Sequence, residues 1–260
     1  MKRLTLPLFA LLATLAISSC QNTGQDNSTE QTAQTTAKAE NAYPDQRAEA
    51  LKGKVSGEDC DITIAGIHFT KSVNNAASMV STNDAGVTEF KTGENSDYFS
   101  DPDGKLSNTS APLLLTKVDN TKPFTFSAKV TPTFGSLYNA GVLYVYVNDI
   151  FFQKLCFEQD ERDHHRIVSV QTLGTSDDNN HDVVTQPYAY MKVSSDGHTI
   201  ASYYSLDNKN WQLVRLYENN YPPEIYVGIS TQCPQGSGTT SNFEDLKLED
   251  KSVSDFRMGI

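Results

Sequence analysis

The sequence predicts an all-β protein built as a two-sheet antiparallel β-sandwich. Short apolar or alternating runs recur from about residue 59 to residue 248, and polar turn sequences separate them. No helical period of 3.6 residues persists over eleven residues in that stretch. Turns this short join antiparallel neighbours. So many strands in one continuous stretch imply two packed sheets rather than one flat sheet.

The strands are predicted in order from their apolar patterns. A first pair surrounds Ile62 to Phe69, a short strand covers 88–91, and the stretch 95–108 is rich in turn residues. The later strands are predicted at 113–118, 124–130, 141–147, 150–158, 166–172, 188–194, 199–205, 212–216, 225–231 and 241–248. Alternation is clearest at 124–130, where every second side chain is apolar, as in a strand with one buried face.

The composition and charge of the chain limit the classes of partner that it can bind. The chain has 260 residues, 38% of them hydrophobic, and this supports a sizeable core. Its formal charge of −11 argues against nucleic acid, since phosphate binding depends on clustered Lys and Arg. Neutral ligands such as sugars remain open.

The first twenty residues predict export. Lys2 and Arg3 precede an apolar run at 4–17, which is shorter than the roughly 20 residues that span a bilayer. The sequence Ser18-Ser19-Cys20 resembles the end of a bacterial lipoprotein signal, which implies cleavage before Cys20 and acylation of its thiol. The alternative is an ordinary signal peptide with an accidental cysteine. The expected location is the cell envelope, with contact to the membrane through the lipid anchor.

Four segments are predicted along the chain. Residues 1–19 are the signal peptide, and residues 20–50 are the lipidated cysteine with a disordered tether. The tether is poor in apolar side chains and cannot bury enough surface to offset its ordering entropy. Residues 51–250 are the folded domain, and residues 251–260 are a C-terminal tail.

Several motifs together resemble one family. They are Phe124 to Val130, Asn139-Ala140-Gly141-Val142-Leu143, Lys154 to Glu158, Ser169-Val170, Val183-Val184-Thr185 and Tyr203 to Arg215. In this order they resemble the DUF1349 family, which is related to the yeast regulation-of-enolase protein, over roughly residues 95–248. The resemblance implies a concanavalin A-like jelly roll with a concave face of the kind lectins and glucanases use for sugars. It implies no settled activity.

Five residues are predicted to bind a ligand. Lys154 and Glu158 lie four apart on one strand and therefore share a face, while Tyr144 and Tyr146 share a face of the preceding strand. Arg166 opens the following strand and completes the set. The alternatives are an ion pair between Lys154 and Glu158 on a partly solvated sheet face, and packing of both tyrosines in the core.

Catalysis has weaker support in the sequence. A glycosidase needs two carboxylates a few ångströms apart, and the strand offers Glu158 alone as a catalytic candidate. No cofactor is predicted apart from Ca²⁺, for which Asp97, Asp101 and Asp103 supply oxygens within one turn-rich stretch. A solvated turn explains the same three residues.

Three cysteines remain when Cys20 carries lipid. Cys60, Cys156 and Cys233 can form at most one disulfide, and the sequence leaves the pairing open. The leading functional hypothesis is a carbohydrate- or glycan-binding lipoprotein of a Bacteroidetes-like bacterium. A glycoside hydrolase and a protein-interaction module of an envelope complex are the alternatives.

Overall fold

The structure, a computed structural model, describes residues 46–260. The predicted signal peptide, the acylated Cys20 and most of the predicted tether lie outside the described residues. Within residues 46–260, no helix is long and apolar enough to cross a membrane.

Residues 46–260 form seventeen strands, a short helix α1 at Gln46–Ala50 and one 3-10 turn at Ala76–Ser78. The strands are β1 Glu58–Ile64, β2 Ile67–Val73, β3 Val80–Thr82, β4 Thr88–Gly93, β5 Tyr98–Ser100, β6 Ser107–Thr109, β7 Leu113–Asp119, β8 Phe124–Pro132, β9 Ala140–Asn148, β10 Phe151–Gln159, β11 His165–Leu173, β12 Thr175–Val183, β13 Ala189–Ser195, β14 Thr199–Ser205, β15 Trp211–Glu218, β16 Glu224–Gln232 and β17 Gly238–Glu249.

Two antiparallel sheets face each other. The front sheet has eight strands in the order β1-β2-β7-β16-β9-β10-β11-β12, and the back sheet has seven in the order β15-β14-β13-β8-β17-β4-β3. The hairpin β5-β6 belongs to neither sheet. The predicted all-β class and two-sheet antiparallel sandwich are confirmed.

The front sheet is buried on both faces over part of its area. Leu155 and Phe157 of β10 point between the sheets into the main core, while Phe152 points outward into a second core. That second core exists because the hairpin β5-β6 covers the outer face, the face turned away from the back sheet. Tyr98 of the hairpin packs edge-on against Phe152, with ring centroids 5.6 Å apart. The outer face is therefore part covered and part open.

Both ends of the described chain belong to the folded unit. The predicted tether includes α1, but Ala50 is fully buried and its carbonyl accepts a hydrogen bond of 2.7 Å from the Asn148 side chain. The predicted tail lies against the back sheet, where Tyr203 donates to the Phe256 carbonyl and Lys192 donates to the Gly259 carbonyl. These contacts hold both segments against the folded domain, although the composition of the segments indicates only that they are polar.

One glycine sets how closely the sheets approach. A Cβ added at Gly141 would lie 2.4 Å from Val130 Cγ1 and 3.0 Å from Ser241 Oγ. We expect Gly141→Ala to lower the free energy of unfolding by about 1–3 kcal/mol, because overpacking forces neighbours out of position. Urea denaturation measures the loss. Gly93→Ala is the matched control, since nothing lies within 4 Å of a Cβ at Gly93; equal losses in both variants would contradict the packing argument.

Candidate functional site

An open cleft of about 560 Å³ lies on the outer face of the front sheet, beside the hairpin β5-β6. Its floor comes from three neighbouring strands, β10, β11 and β12. One wall is the hairpin, with Phe99 and Leu106, and the rim opposite the floor includes Tyr138 from the loop before β9. Leu106 and Tyr138 are among the exposed large apolar side chains of the described chain, at 45% and 36% exposure.

Strand register explains which side chains reach the floor. Lys154 of β10 pairs with Val170 of β11, and Val170 pairs with Asp178 of β12. Residues directly opposite one another in neighbouring strands point to the same side of a sheet. Lys154, Val170 and Asp178 therefore form one row across the floor, and Glu158 lies on the same face four residues farther along β10.

Lys154 is held firmly at the bottom of the cleft. Its side chain is 4% exposed, and its Nζ lies 3.2 Å from Asp97 Oδ1 and donates to Gln232 Oε1 at 3.1 Å. Gln232 in turn donates to the hydroxyl of Tyr144 at 2.5 Å. Burial alone lowers the pKa of Lys154, but the Asp97 carboxylate, with help from Glu158, raises that pKa above its ordinary value.

The alternative of a Lys154 to Glu158 ion pair is wrong, since Lys154 pairs with Asp97. The two partners are 57 residues apart in the chain. The turn-rich stretch before β5 folds over the sheet and brings the Asp97 carboxylate to the amine, and the Tyr98 backbone N–H fixes that carboxylate with a 2.7 Å hydrogen bond. A period-two pattern within one strand carries no information about such a contact.

Glu158 differs from the other acidic side chains near the floor. It is half-buried, and among the described residues nothing forms a hydrogen bond or ion pair with its carboxyl group. Burial raises its pKa to about 8, the charge of Lys154 opposes that rise and the charge of Asp178 adds to it. Burial also raises the pKa of Asp178. In its protonated form the Glu158 carboxyl can donate a hydrogen bond as well as accept one.

Tyr144 and Tyr146 share the outer face as predicted, but both rings are wholly buried. Tyr98 covers them with centroids 6.2 Å and 6.3 Å away, and the Tyr146 hydroxyl donates to Asp149 at 2.6 Å. Neither ring lines the cleft. We therefore replace these two candidate ligand residues with Phe99 and Tyr138, whose rings do line it.

Arg166 also lies away from the cleft lining. Its Nε donates to Asp160 Oδ2 at 2.9 Å and its Nη1 donates to the His181 carbonyl at 2.6 Å. These bonds tie the turn after β10 to the end of β12. Arg166 thus holds the strand ends in place, and the predicted ligand role has no support in this position.

Asp160 anchors that turn, and its removal has a measurable consequence. Burial raises the pKa of Asp160, but hydrogen bonds from the backbone N–H groups of His164 and Arg162, together with Arg166, lower it to about 2. Because the folded pKa lies below the ordinary 3.8, this stabilisation is present above pH 4 and is lost as the pH falls toward 2. We expect Asp160→Asn to cost about 2–3 kcal/mol at pH 7.

Urea titrations at pH 7 and pH 2.5 check this prediction, because the cost should shrink at the lower pH. Asp163→Asn is the control, since Asp163 is exposed and its carboxylate accepts a single hydrogen bond of 3.1 Å, from the Gln159 side chain, among the described residues. A cost that is the same at both pH values would contradict the role of the Asp160 charge.

The predicted calcium ligands do not converge. Asp97 binds Lys154, Asp103 pairs with Lys105 at 2.6 Å, and Asp101 lines the cleft. In the part of the chain that the structure describes, no group of three or more His, Cys, Asp or Glu side chains is placed to hold a metal ion. Calcium binding therefore stays a prediction without structural support.

The three cysteines within residues 46–260 are free thiols. Cys156 is fully buried in the outer core beneath the hairpin, and Cys233 donates to the Gln235 carbonyl at 3.0 Å. Cys156 lies on the same face of β10 as Lys154 and Glu158, but it packs in the outer core and does not line the cleft.

Sequence reasoning missed two cleft residues, Asp178 and Tyr138, and Gln232, which supports Lys154 from outside the cleft lining. Asp178 lies in β12, a strand of mostly exposed polar residues that gives no apolar alternation. Gln232 lies just after the strand predicted at 225–231, at the end of β16, and carries no chemical motif. Tyr138 has a backbone φ of 64°, in the left-handed region that residues other than glycine rarely adopt. The one available sequence signal, for β12 and Asp178, was the run of Asp and Asn at 177–180, which indicates a polar edge of the sheet.

Several solved structures share this fold. A functionally unknown protein from Saccharomyces cerevisiae is 23% identical, with 70% of this chain and 97% of that chain covered and a TM-score of 0.63. Bacteroides ovatus xyloglucan PUL GH43B is 13% identical, with coverage of 75% and 38% and a TM-score of 0.55. Xylan β-1,4-xylosidase from Bacillus halodurans is 13% identical, with coverage of 74% and 38% and a TM-score of 0.54.

At these identities the likeness shows the fold alone, and the chain spans little more than a third of the length of the two glycosidase-related proteins. No curated protein matches the chain in sequence. A family model described as a protein of unknown function, DUF1349, matches residues 73–251. The chain therefore belongs to the DUF1349 family.

Proposed function

We propose that this protein binds carbohydrate in the cleft between the hairpin β5-β6 and the floor of β10, β11 and β12. The observation that carries the proposal is the mixed lining of that cleft. Phe99, Leu106 and Tyr138 offer apolar surface, while Lys154 and Glu158 lie on the floor. Ligand sites of this kind combine apolar walls with a few placed polar groups that fix orientation.

The lining suits a polyhydroxylated ligand in particular. A sugar ring has apolar faces that pack on rings such as Phe99 and Tyr138, and hydroxyl groups that need both donors and acceptors. Asn108 and Asn180 add amides, which donate and accept within one side chain. Proteins with the same fold include a xylan β-1,4-xylosidase and the xyloglucan PUL protein GH43B, which is consistent with this ligand class.

We also propose that the protein is displayed at the cell envelope by a lipid on Cys20. The support is the basic, apolar and small-residue pattern of residues 1–20. Mass spectrometry of the N-terminal peptide from the native host tests this part. A diacyl or triacyl modification on Cys20 is expected, and an unmodified Cys20 or retention of residues 1–19 would contradict it.

A glycan array probed with the full chain tests the ligand class. We expect at least one polysaccharide or oligosaccharide to bind, and Phe99→Ala or Tyr138→Ala to weaken that binding at least tenfold. Tyr188→Ala is the matched control, because this half-buried ring lies just before β13, outside the cleft lining. A blank array over a broad panel, or equal losses in Tyr188→Ala, would contradict the proposal.

A second candidate function is glycoside hydrolysis, and one observation favours it. Burial raises the pKa of Glu158 to about 8, the direction that suits a general acid, and Asp178 supplies a second carboxyl group in the same cleft. A reducing-sugar assay on the glycans that bind separates the two functions. Hydrolysis that Glu158→Gln abolishes would establish the enzyme, while full activity in Glu158→Gln would remove Glu158 from any mechanism.

A further inference from the structure

The residues of the cleft floor also indicate which kind of sugar the cleft can bind. We propose that it binds an uncharged sugar residue through hydroxyl groups held by Lys154 and Glu158, and that the acidic lining excludes sugars that carry a carboxylate. This inference rests on the proposed function and specifies its ligand. Three observations lead to it: the unused donor of Lys154, the partner-free carboxyl of Glu158, and the balance of charge around them.

Lys154 has one donor to spare. An ammonium group carries three N–H donors, and the described residues accept two of them, through Asp97 and Gln232. The side chain is 96% buried by area yet lines the cleft, so its remaining N–H is available to an oxygen bound there. Because Asp97 and Gln232 lock the amine in place, little side-chain entropy is lost when a ligand binds.

Glu158 complements this donor. Its carboxyl lies in the same cleft, on the same face of β10, and no hydrogen-bond or ion-pair partner within residues 46–260 occupies it. In its protonated form a carboxyl both donates and accepts, and burial keeps the pKa of Glu158 at about 8. A hydroxyl group also donates and accepts, so Lys154 and Glu158 together match the hydroxyls of a neutral sugar.

The charge balance argues against acidic ligands. Among residues 46–260, five acidic side chains and one basic side chain line the cleft. The single cation, Lys154, is already paired with Asp97, while Asp101 and Asp178 face the space that a ligand would occupy. A uronic acid would bring a carboxylate next to these groups without an unpaired cation to receive it. Like charges placed together in a binding site weaken binding.

Matched pairs of oligosaccharides test the inference. The probes are cellohexaose, mannohexaose and β-1,4-galactohexaose, each compared with its C6-oxidised uronic acid form by isothermal titration with the full chain at pH 6.5. We expect at least one neutral member to bind, and its oxidised partner to bind at least tenfold more weakly. Equal or tighter binding of the oxidised member overturns this inference but leaves the proposed function standing. No binding by any probe, together with a blank glycan array, overturns both.

Variants locate the effect at the floor. Glu158→Gln removes the titrating carboxyl group of the floor, so we expect it to abolish the loss of affinity that the wild-type chain shows between pH 6.5 and pH 9. Combining Asp101→Asn with Asp178→Asn should reduce the discrimination against the oxidised probe at least threefold. Discrimination unchanged in that double variant would overturn the charge argument.

The Lys154→Met, Asp97→Asn double variant removes both buried charges together and keeps the chain foldable. We expect it to lose neutral binding at least tenfold while its near-ultraviolet circular dichroism stays like that of the wild type. Lys91→Met with Glu89→Gln is the control, because this exposed pair lies in β4 of the back sheet. Retained affinity in the Lys154 and Asp97 double variant would overturn the role of Lys154.

Discussion

Lys154→Met is expected to lower the free energy of unfolding by about 3–5 kcal/mol, because it leaves the Asp97 carboxylate buried without its cation. Asp97 is 7% exposed and Lys154 is 3% exposed, so water in the cleft replaces the lost partner only in part. Gln232 also loses the donor that its Oε1 accepts from. Urea denaturation at pH 7 measures the change, with the midpoint and slope fitted together.

A double-mutant cycle separates the ion pair from simple packing. Asp97→Asn in the Lys154→Met background should recover a large part of the lost stability, since no charge is then left unpaired. The control is Lys117→Met. Lys117 forms an exposed ion pair with Glu224 on the front sheet, so we expect the variant to lower the free energy of unfolding by only about 0–1 kcal/mol. If Lys154→Met and the double variant are equally unstable, the cost comes from packing and the ion-pair argument fails.

Glu158→Gln is expected to stabilise the protein at alkaline pH and to leave it unchanged at pH 4. Burial raises the pKa of Glu158 from 4.5 to about 8. Between these two values the folded state holds a proton that the unfolded state has released, so the stability of the wild type falls as the pH rises. The slope is about 1.4 kcal/mol for each pH unit, and the total is up to roughly 5 kcal/mol.

The measurement is the free energy of unfolding of both proteins from pH 4 to pH 9. Subtracting the two curves removes the contribution of every other titrating group, and the difference should grow from about pH 4.5 and level off near pH 8. Glu244→Gln is the control, because Glu244 pairs with Lys129 on the back sheet at 3.0 Å and lies outside the cleft lining. A flat difference for Glu158→Gln would show that this carboxyl titrates normally.

These two predictions describe one feature of the site. Lys154 is fixed by two partners from outside its own strand, while Glu158 is left free beside it. A positioned donor next to an unoccupied carboxyl is a preorganised arrangement for binding. Glu158 lowers the stability of the fold at alkaline pH, and buried Lys154 depends on its partner Asp97. Such costs are typical of functional sites rather than of surfaces that only face solvent.

Some of the site could be predicted from residue spacing. Lys154 and Glu158 do share a face of β10, and both line the cleft, because side chains alternate strictly along a strand. The same rule correctly placed Tyr144 and Tyr146 on one face. It could not indicate that Tyr98 would cover both rings, since that contact depends on a hairpin more than forty residues away in the chain.

The strand β12 shows where pattern reasoning ends. Eight of its nine residues are polar and most are exposed, so they carry neither the apolar alternation nor the aromatic enrichment that identifies a strand. It forms because β11 offers a free edge, to which its backbone pairs in register from Leu173 and Thr175 onward. Asp178 reaches the cleft only through this pairing.

The sequence by itself determined the all-β class, the two-sheet architecture and the shared face of Lys154 and Glu158, because these follow from local periodicity and turn chemistry. Tertiary structure decided which part of that face stays open. The hairpin β5-β6 covers Tyr144 and Tyr146, and the stretch before it supplies Asp97 to Lys154. Such contacts join distant parts of the chain, so they depend on how the loops pack and not on any pattern within one strand.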